Sequence, residues 1–497
     1  MMTGLYTAEQ TRALDRISID EAGLAGYTLM TRAGAAAFGH LRSRWPEAHR
    51  MHVVCGTGNN GGDGWVIARL ARMAGLEVMV DLVGPESRIH GDARQAMYDY
   101  LQAGGEFRAL DDDTPCDPDQ ADIIVDAVAG TGFIGALRPE YQRVIERIND
   151  CDAPVLAIDC PSGLNPDTGH VATVAVRAEV TVTFIGCKRG LLTGDAPDYC
   201  GELIFDDLGI PPWVYDKVAP SAHALNSNTA LSQLATPPAT AHKGHFGHLL
   251  VIAGNRGMGG AGLLAAEAAL RSGVGLVTLA THPEHVGAAL ARRPEIMARG
   301  VNSSKELKPL IDAATAIVIG PGLGQDRWSQ DVLSRAMEAH QPLLLDADAL
   351  NLLVGTEASL GTKGPRVITP HPGEAARLLG TDTRSIHQDR FAAARRLAET
   401  WQAVTVLKGA GTVIADPEQA PESVCPYGNP GMATAGMGDA LSGIIGALLA
   451  QGLSARGAAD IGVTVHACAG DRAAQTCGQR SLLAGDLIAA LAEVYRS

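Results

Sequence analysis

Seven short segments of this chain combine glycine with polar residues where an apolar run ends. Four lie in the second half: Gly320-Pro321-Gly322-Leu323-Gly324, Thr369-Pro370-His371-Pro372-Gly373-Glu374, Lys408-Gly409-Ala410-Gly411-Thr412, and Asn429-Pro430-Gly431-Met432-Ala433-Thr434 running into Gly436-Met437-Gly438-Asp439. Three lie in the first half: Gly56-Thr57-Gly58-Asn59-Asn60-Gly61-Gly62-Asp63-Gly64, Asp126 to Gly132, and Asp159-Cys160-Pro161-Ser162-Gly163. Glycine lets a backbone approach a ligand closely and present its N–H groups. The turn Gly436–Asp439 is the most pointed, because an apolar helical run starts at Ala440. A helix N-terminus carries unpaired donors and partial positive charge, which suits phosphate. Alone, the tetrapeptide is more simply a helix start capped by Asp439; its three companions change that weighing. His371, set between two prolines, reads equally well as rigid loop packing and as a ligand contact.

In the first half, Gly56–Gly64 is neither a Walker loop nor the dinucleotide fingerprint, and by itself it is best read as a tight strand-to-helix turn capped by Asp63. The other two segments alter this reading, since three successive strands then end in polar groups beside glycines. Asn60, Asp126 and Ser162 offer oxygen donors without thiolate or imidazole, a set for a hard cation such as K⁺ or Mg²⁺ and not for zinc.

Parallel α/β architecture would position these segments. Apolar runs at Met51–Cys55, Leu76–Val83, Asp122–Val125, Val155–Ile158 and Val180–Ile185 alternate with helical stretches 64–74, 92–102 and 139–149, after one or two helices in 7–45. That is a doubly wound sheet. The Pro-rich segment 211–241 reads as a linker with one short helix, and the boundary falls near 225. Alternation then restarts with strands at 249–253, 276–280, 317–319, 343–345, 367–369, 404–407 and 412–415, before helices at 439–451, 455–475 and 481–495. In open parallel sheets the loops leaving the strands' carboxyl ends converge on one crevice, where ligands bind.

Composition narrows the function classes. A chain of 497 residues with 46% hydrophobic and 19% charged residues is globular and needs two or more domains. Residues 1–225 carry 18 Lys and Arg against 32 Asp and Glu, while 226–497 carry 22 against 23, so neither half offers a basic face to nucleic acid. No apolar stretch approaches the roughly 18 residues that span a bilayer. The start, MMTGLYTAEQTRALDR, has no secretion signal, which with nine cysteines lacking any CxxC pair points to reduced thiols in the cytoplasm.

These motifs resemble two families. Residues 226–497 are similar to the ribokinase-like α/β fold, and His242-Lys243-Gly244 with Gly247 and the Thr369–Glu374 segment resemble its NAD(P)H-hydrate dehydratase branch. Residues 8–215 resemble the YjeF N-terminal domain, a Rossmann-like NAD(P)H-hydrate epimerase. The expected domains are therefore an epimerase at 1–225, linker included, and a dehydratase at 226–497. The resemblance implies that Asn59, Asn60, Gly61, Gly62 and Asp63, with Gly130, Thr131, Gly132, Phe133, Ile134, Gly135 and Ala136, bind the hydrate. Asn60, Asp126 and Ser162 would hold K⁺, and Asp159 would be the acid/base residue. In the second half, Ala261 or Gly262, Gly324, His371 and Asp439 would contact the hydrate. Lys408, Gly409, Ala410, Gly411, Thr412 and Gly438 would contact the adenine nucleotide.

The implied chemistry is phosphorylation of the ring's C6 hydroxyl, with Asp439 as general base and the turn as anion hole. Phosphate then leaves and the double bond returns. Mg²⁺ accompanies the nucleotide, and similarity to bacterial fused enzymes suggests ADP over ATP. The other partners implied are NADHX and NADPHX, with neither nucleic acid nor membrane, in an assembly of identical chains. One departure stands out: Leu29-Met30-Thr31-Arg32-Ala33-Gly34 lacks the acidic residue common after Leu-Met in the family. The competing reading is a small-molecule kinase of the same fold, such as a vitamin-precursor kinase, joined to a non-catalytic interaction module.

Overall fold

A computed structural model describes residues 4–111, 116–131, 137–355 and 364–496. The chain divides into two compact units, Met1–Ala222 and His223–Ser497.

The first unit opens with α1 (Ala8–Asp20), started by a reciprocal cap between Thr7 and Gln10, and α2 (Gly26–Arg44). Seven strands follow: β1 (Arg50–Cys55), β2 (Glu77–Val83), β3 (Arg108–Leu110), β4 (Ile123–Ala127), β5 (Val155–Ile158), β6 (Val180–Phe184) and β7 (Glu202–Asp206). They are all parallel and lie in the order β3-β2-β1-β4-β5-β6-β7. This is the doubly wound Rossmann-like order, with its reversal point between β1 and β4. Helices α3 (Asn59–Met73), α4 (Gly91–Gln102) and α5 (Pro139–Asn149) cross between the early strands. Trp65 of α3 is wholly buried against Tyr100 and Phe107.

Two expectations are corrected in this unit. Helix α3 starts at Asn59 and not at residue 64, so two-thirds of the Gly-rich segment is helix, and Gly58, not Asp63, is its cap residue. The glycines serve close packing there: a Cβ at Gly64 would come within 2.6 Å of Ala127 Cβ and 2.8 Å of Cys55 Sγ. Strand β4 also runs to Ala127, which puts Asp126 inside the sheet and not in a loop.

The second unit is built on β8 (His248–Ile252), β9 (Leu276–Thr281), β10 (Met297–Gly300), β11 (Ala316–Ile319), β12 (Leu343–Leu345), β13 (Arg366–Ile368), β14 (Val404–Leu407), β15 (Thr412–Ala415) and β16 (Glu422–Cys425). Their order is β16-β15-β14-β13-β12-β11-β8-β9-β10, parallel from β14 to β10 and antiparallel at β14-β15-β16. The helices that matter for the site are α6 (Gly259–Arg271), α7 (Pro372–Leu379), α8 (Met437–Ala450), α9 (Ala455–Cys477) and α10 (Ala484–Val494). Helix α8 is buried nearly throughout because small residues let it lie directly on its neighbours. A Cβ at Gly443 would collide with the Ala265 carbonyl of α6, and one at Gly446 with Val318 of β11. Strands β3, β7, β10 and β16 were not foreseen; all are at or near sheet edges and mix polar with apolar residues. Among the described residues no helix is long and apolar enough to cross a membrane.

Candidate active sites

In the first unit the carboxyl ends of β1, β4, β5 and β6 open on a cleft of about 480 Å³. Asp159 follows β5 directly, in the left-handed region at φ 67°. Its carboxylate is ion-paired with Lys188, a side chain only 1% exposed, and accepts from Thr183 Oγ1 at 3.3 Å and Phe184 N at 3.4 Å. Lys188 also donates to Thr183 Oγ1 at 3.0 Å and the Phe184 carbonyl at 3.2 Å, so it is fully engaged. Asp63 and Asp15 face the same cleft. Burial, and then the charge of Asp159, push both carboxyls above their usual range. The cleft thus holds one lysine amid four carboxyl groups, Asp15, Asp63, Asp92 and Asp159, an arrangement suited to moving protons. Two further non-glycine residues with positive φ line it: Ile185 (62°), just after β6, and Leu208 (54°), beyond β7.

Asp126 and Ser162 are bonded to each other, and Ser162 holds Ala129, next to the Gly130 that Asn60 lies against. Asp126 is fully buried; its carboxylate accepts from Ser162 N at 2.8 Å, Ser162 Oγ at 2.6 Å and Val128 N at 3.2 Å. Burial raises its pKa to about 6 against those hydrogen bonds. Ser162 Oγ also bonds both the N–H and the carbonyl of Ala129. Asn60 lies against Gly130, where a Cβ would stand 3.0 Å from its Cγ, and both its buried amide atoms lack a hydrogen-bond partner. A buried unpaired amide costs about 1–3 kcal/mol, which a cation bound to its oxygen would offset. Asn59, Gly130 and Thr131 line the cleft, while Gly61 packs on the Gly56 backbone and Gly62 on Met30 and Ala93. Gly132, Phe133, Ile134, Gly135 and Ala136 lie outside the described residues. Where the family's acidic residue is missing, Arg32 donates to the Leu208 carbonyl at 2.8 Å and Met30 borders the cleft.

A third cluster in this unit, His52, Asp81 and Cys116, has metal-ligand atoms within 4.8 Å of one another. Arg108 occupies both Asp81 oxygens at 2.8 and 2.9 Å, and His52 Nε2 lies 2.9 Å from one of them. The group is a buried ion-pair network on β1, β2 and β3.

In the second unit the residues leaving β12 and β14 meet the start of α8. Gly436 is the cap residue there at φ 88°, and no side chain caps the helix. Asp439 is therefore the third helical residue and not a cap, which removes the simpler reading of the motif. Burial, and then the charge of Asp346, raise its pKa to about 6, with Lys408 pulling the other way. Lys408 Nζ is 2.9 Å from Asp346 Oδ1 and 3.4 Å from where a Gly438 Cβ would be. Burial works against its charge, but Asp346 and Glu374 outweigh it and hold its pKa above the ordinary value. Asp346 is itself pinned by Thr369 Oγ1 at 2.8 Å and Ser442 Oγ at 2.7 Å. The turn β14-β15 carries Gly409, Ala410 and Gly411, with Thr412 Oγ1 donating to the Gly409 carbonyl at 3.0 Å. Gly409 has φ 139° and packs on the Arg390 guanidinium, which holds the carbonyls of Leu407 and Lys408.

His371 caps α7: its Nδ1 accepts from Gly373 N at 3.0 Å, while Glu374 accepts from His371 N at 2.8 Å. The side chain stays 51% exposed, with its Nε2 3.5 Å from Glu374 Oε1. Gly324 N donates to Asp348 at 2.8 Å, and Asn255, almost buried, bonds Asp326 and Ser329 beside it. Ala261 faces Gly322 of this loop, whereas Gly262 packs on Ala253 and Leu279 of the sheet, so of the two only Ala261 looks toward the turn. Lys188, Asp15, Asp346, Asp348 and Asn255 escaped the sequence reading. For Asp346-Ala347-Asp348 a signal was present, an acidic pair directly after the apolar run Leu343–Leu345.

Known proteins share both halves. A family model described as NAD(P)H-hydrate dehydratase matches residues 249–493, and one described as YjeF-related protein N-terminus matches 26–190. The bifunctional NAD(P)H-hydrate repair enzyme of Coxiella burnetii is 48% identical over 98% of each chain. That of Escherichia coli is 42% identical over 99% of this chain and 93% of its own. Among solved structures, an ADP/ATP-dependent NAD(P)H-hydrate dehydratase from Bacillus subtilis, co-crystallised with ATP and Mg²⁺, is 31% identical with a TM-score of 0.50, covering 55% of this chain and 96% of that one. A ribokinase-like superfamily protein of Enterococcus faecalis is 32% identical with a TM-score of 0.51, covering 55% and 95%. With a Rossmann-like YjeF-related half and a ribokinase-like half in one chain, this protein belongs to the family of bifunctional NAD(P)H-hydrate repair enzymes.

Proposed function

We propose that the second unit restores NAD(P)H from the S epimer of its hydrate at the expense of ADP, releasing AMP and phosphate, and that the first unit interconverts the R and S epimers. The observation that carries the first part is the uncapped helix start at Gly436–Gly438 with Asp439 and Lys408 side by side. Asp439 accepts the proton of the ring hydroxyl as that oxygen attacks the terminal phosphoryl group. The N–H groups of the turn and the Lys408 ammonium take up the charge on the transferring phosphate. Phosphate then leaves C6, the adjacent ring carbon gives up a proton to water, the ring double bond re-forms between them, and the cofactor is whole again. Ala261, Gly324 and the half-exposed His371 frame the nicotinamide side, with Lys408 to Thr412 on the nucleotide side. Asp348 and Glu374 are oxygen donors of the kind that would hold Mg²⁺; bound with the nucleotide, the ion would neutralise charge on the phosphates.

In the first unit Asp159, paired with Lys188, is the acid/base group at the reacting carbon. The loop Asn59–Asp63 and Gly130–Thr131 bind the hydrate. Asn60, Asp126 and Ser162 fit K⁺: the donors are all oxygen, and the Asn60 amide is otherwise unpaired. Bound there, K⁺ would supply a fixed positive charge beside Asn60.

The test uses the separated epimers, ADP and Mg²⁺, with recovery of the reduced cofactor's near-ultraviolet absorbance as readout. Asp439→Asn is expected to stop recovery from both epimers. Asp159→Asn is expected to stop it from the R epimer alone, and replacing K⁺ by a bulky organic cation to slow that step selectively. Accumulation of a stable phosphorylated hydrate would instead identify a kinase, and undiminished R-to-S conversion in Asp159→Asn would refute the assignment of the first unit.

A further inference from the structure

Behind the Gly436–Asp439 turn stands a histidine of a neighbouring helix. His466, on α9, is 9% exposed, and its Nε2 lies 2.9 Å from the Met437 carbonyl oxygen. Burial lowers its pKa to about 4, so the ring is neutral near pH 7. A carbonyl only accepts, and the bond therefore requires the tautomer with hydrogen on Nε2.

Folding alone gives little reason for this contact. Met437 is the first residue of α8, and its carbonyl is placed for the ordinary helical bond from four residues on. Around His466 the helix buries Val463, Val465 and Ala467, and an aliphatic side chain would fill the same space without burying a polar ring. What the contact does control is one peptide plane. The peptide group is rigid, and the Met437 C=O and the Gly438 N–H point oppositely from it. Holding the oxygen aims the N–H. This plane needs holding, because Gly436 and Gly438 stand on either side of Met437 and glycine offers the least resistance to rotation.

We propose that His466 is a positioning residue for phosphoryl transfer: by fixing the Met437 carbonyl from behind, it keeps the Gly438 N–H directed at the transferring phosphate. This rests on reading Gly436–Asp439 as the anion site. Preorganised donors lower the barrier because they need not reorient as charge develops.

Four variants of the full chain separate the possibilities. His466→Leu keeps the volume and removes the donor; His466→Gln places an amide N–H close to the position of Nε2; His466→Asn keeps the amide but is one carbon short. Expected for Leu and Asn is a fall in dehydration kcat of roughly 10- to 100-fold, with the nucleotide KM within about threefold and R/S interconversion by the first unit unchanged. Gln is expected to recover most of the rate, a rescue that a purely structural role would not produce. The inference is overturned if Leu and Asn keep the wild-type kcat, or if Gln is as slow as Asn. Asp439→Asn reports on the underlying reading: if it leaves dehydration intact, the anion-site assignment fails and this inference with it; if it abolishes dehydration while His466→Leu and His466→Asn match the wild type, only the role of His466 fails.

Discussion

At Asp439 the same burial that suits a general base also weighs on the fold. Its pKa of about 6 lies above the ~3.9 of an unfolded chain, so the native state holds the proton more tightly and ionisation costs stability. The sign follows: this penalty is absent below about pH 4, grows as pH rises toward 6 and persists above it. As the proposed general base Asp439 would have to be ionised, so the kcat of dehydration is expected to fall as pH drops through about 6. Asp439→Asn should therefore be inactive yet melt higher than the wild type at pH 7–8, by an amount on the order of 1–3 kcal/mol, with the gain vanishing near pH 4. Thermal unfolding at the two pH values checks this; equal shifts at both would show that charge burial is not the cause. Legibility at this scale was uneven. Residues beside glycines, such as Asp439, Lys408 and Asp159, announced themselves by local pattern. Lys188 and Asp346 did not, because what makes them notable is a partner 29 or 62 residues away.

Between elements, the spacing is set by glycines whose importance a sequence conceals. Helix α8 rests on α6 where Gly443 meets the Ala265 carbonyl. Gly443→Ala improves helix propensity by about 1 kcal/mol, but the added methyl has backbone in its way, and overpacking typically costs about 1–3 kcal/mol. The expected outcome is a lower melting temperature of the second unit and, because α8 carries Asp439, a larger loss in dehydration than in epimer interconversion. Circular dichroism melts beside the two activity assays measure both; a variant as stable and active as the wild type would mean that the helices can separate freely. Buried strands were readable from unbroken Val, Ile and Leu runs, and the long helices from their apolar periodicity. Short edge strands such as β3 (Arg-Ala-Leu) were not, since pairing with a neighbour, not side-chain pattern, makes them strands. The start of α3 was misplaced for a related reason: glycines that would signal a loop in isolation are required there by the sheet beneath.

Over the whole chain, each unit has its own hydrophobic core. The proposed residues of each reaction also fall within one unit. Complementation is then expected in trans: Asp159→Asn and Asp439→Asn chains, mixed, should together consume both epimers, because the epimer released by one chain is substrate for the other. Recovery from the S epimer only would mean that the reactions must be joined within one chain. The division into two α/β halves could be read from the Pro-rich stretch and the restarted alternation, and the charge imbalance marked it independently.

Asp159, Ile185 and Leu208 hold a backbone conformation that L-residues occupy at a cost of roughly 1–2 kcal/mol, and all three border one cleft. Under selection for folding alone, mutation at residue 159 would drift toward glycine, which adopts that conformation freely. Such drift is blocked while Lys188 remains, since removing the carboxylate would strand a buried ammonium. The two positions are therefore expected to covary through the family's history: kept together where epimer interconversion is used, and lost together where a lineage has abandoned it.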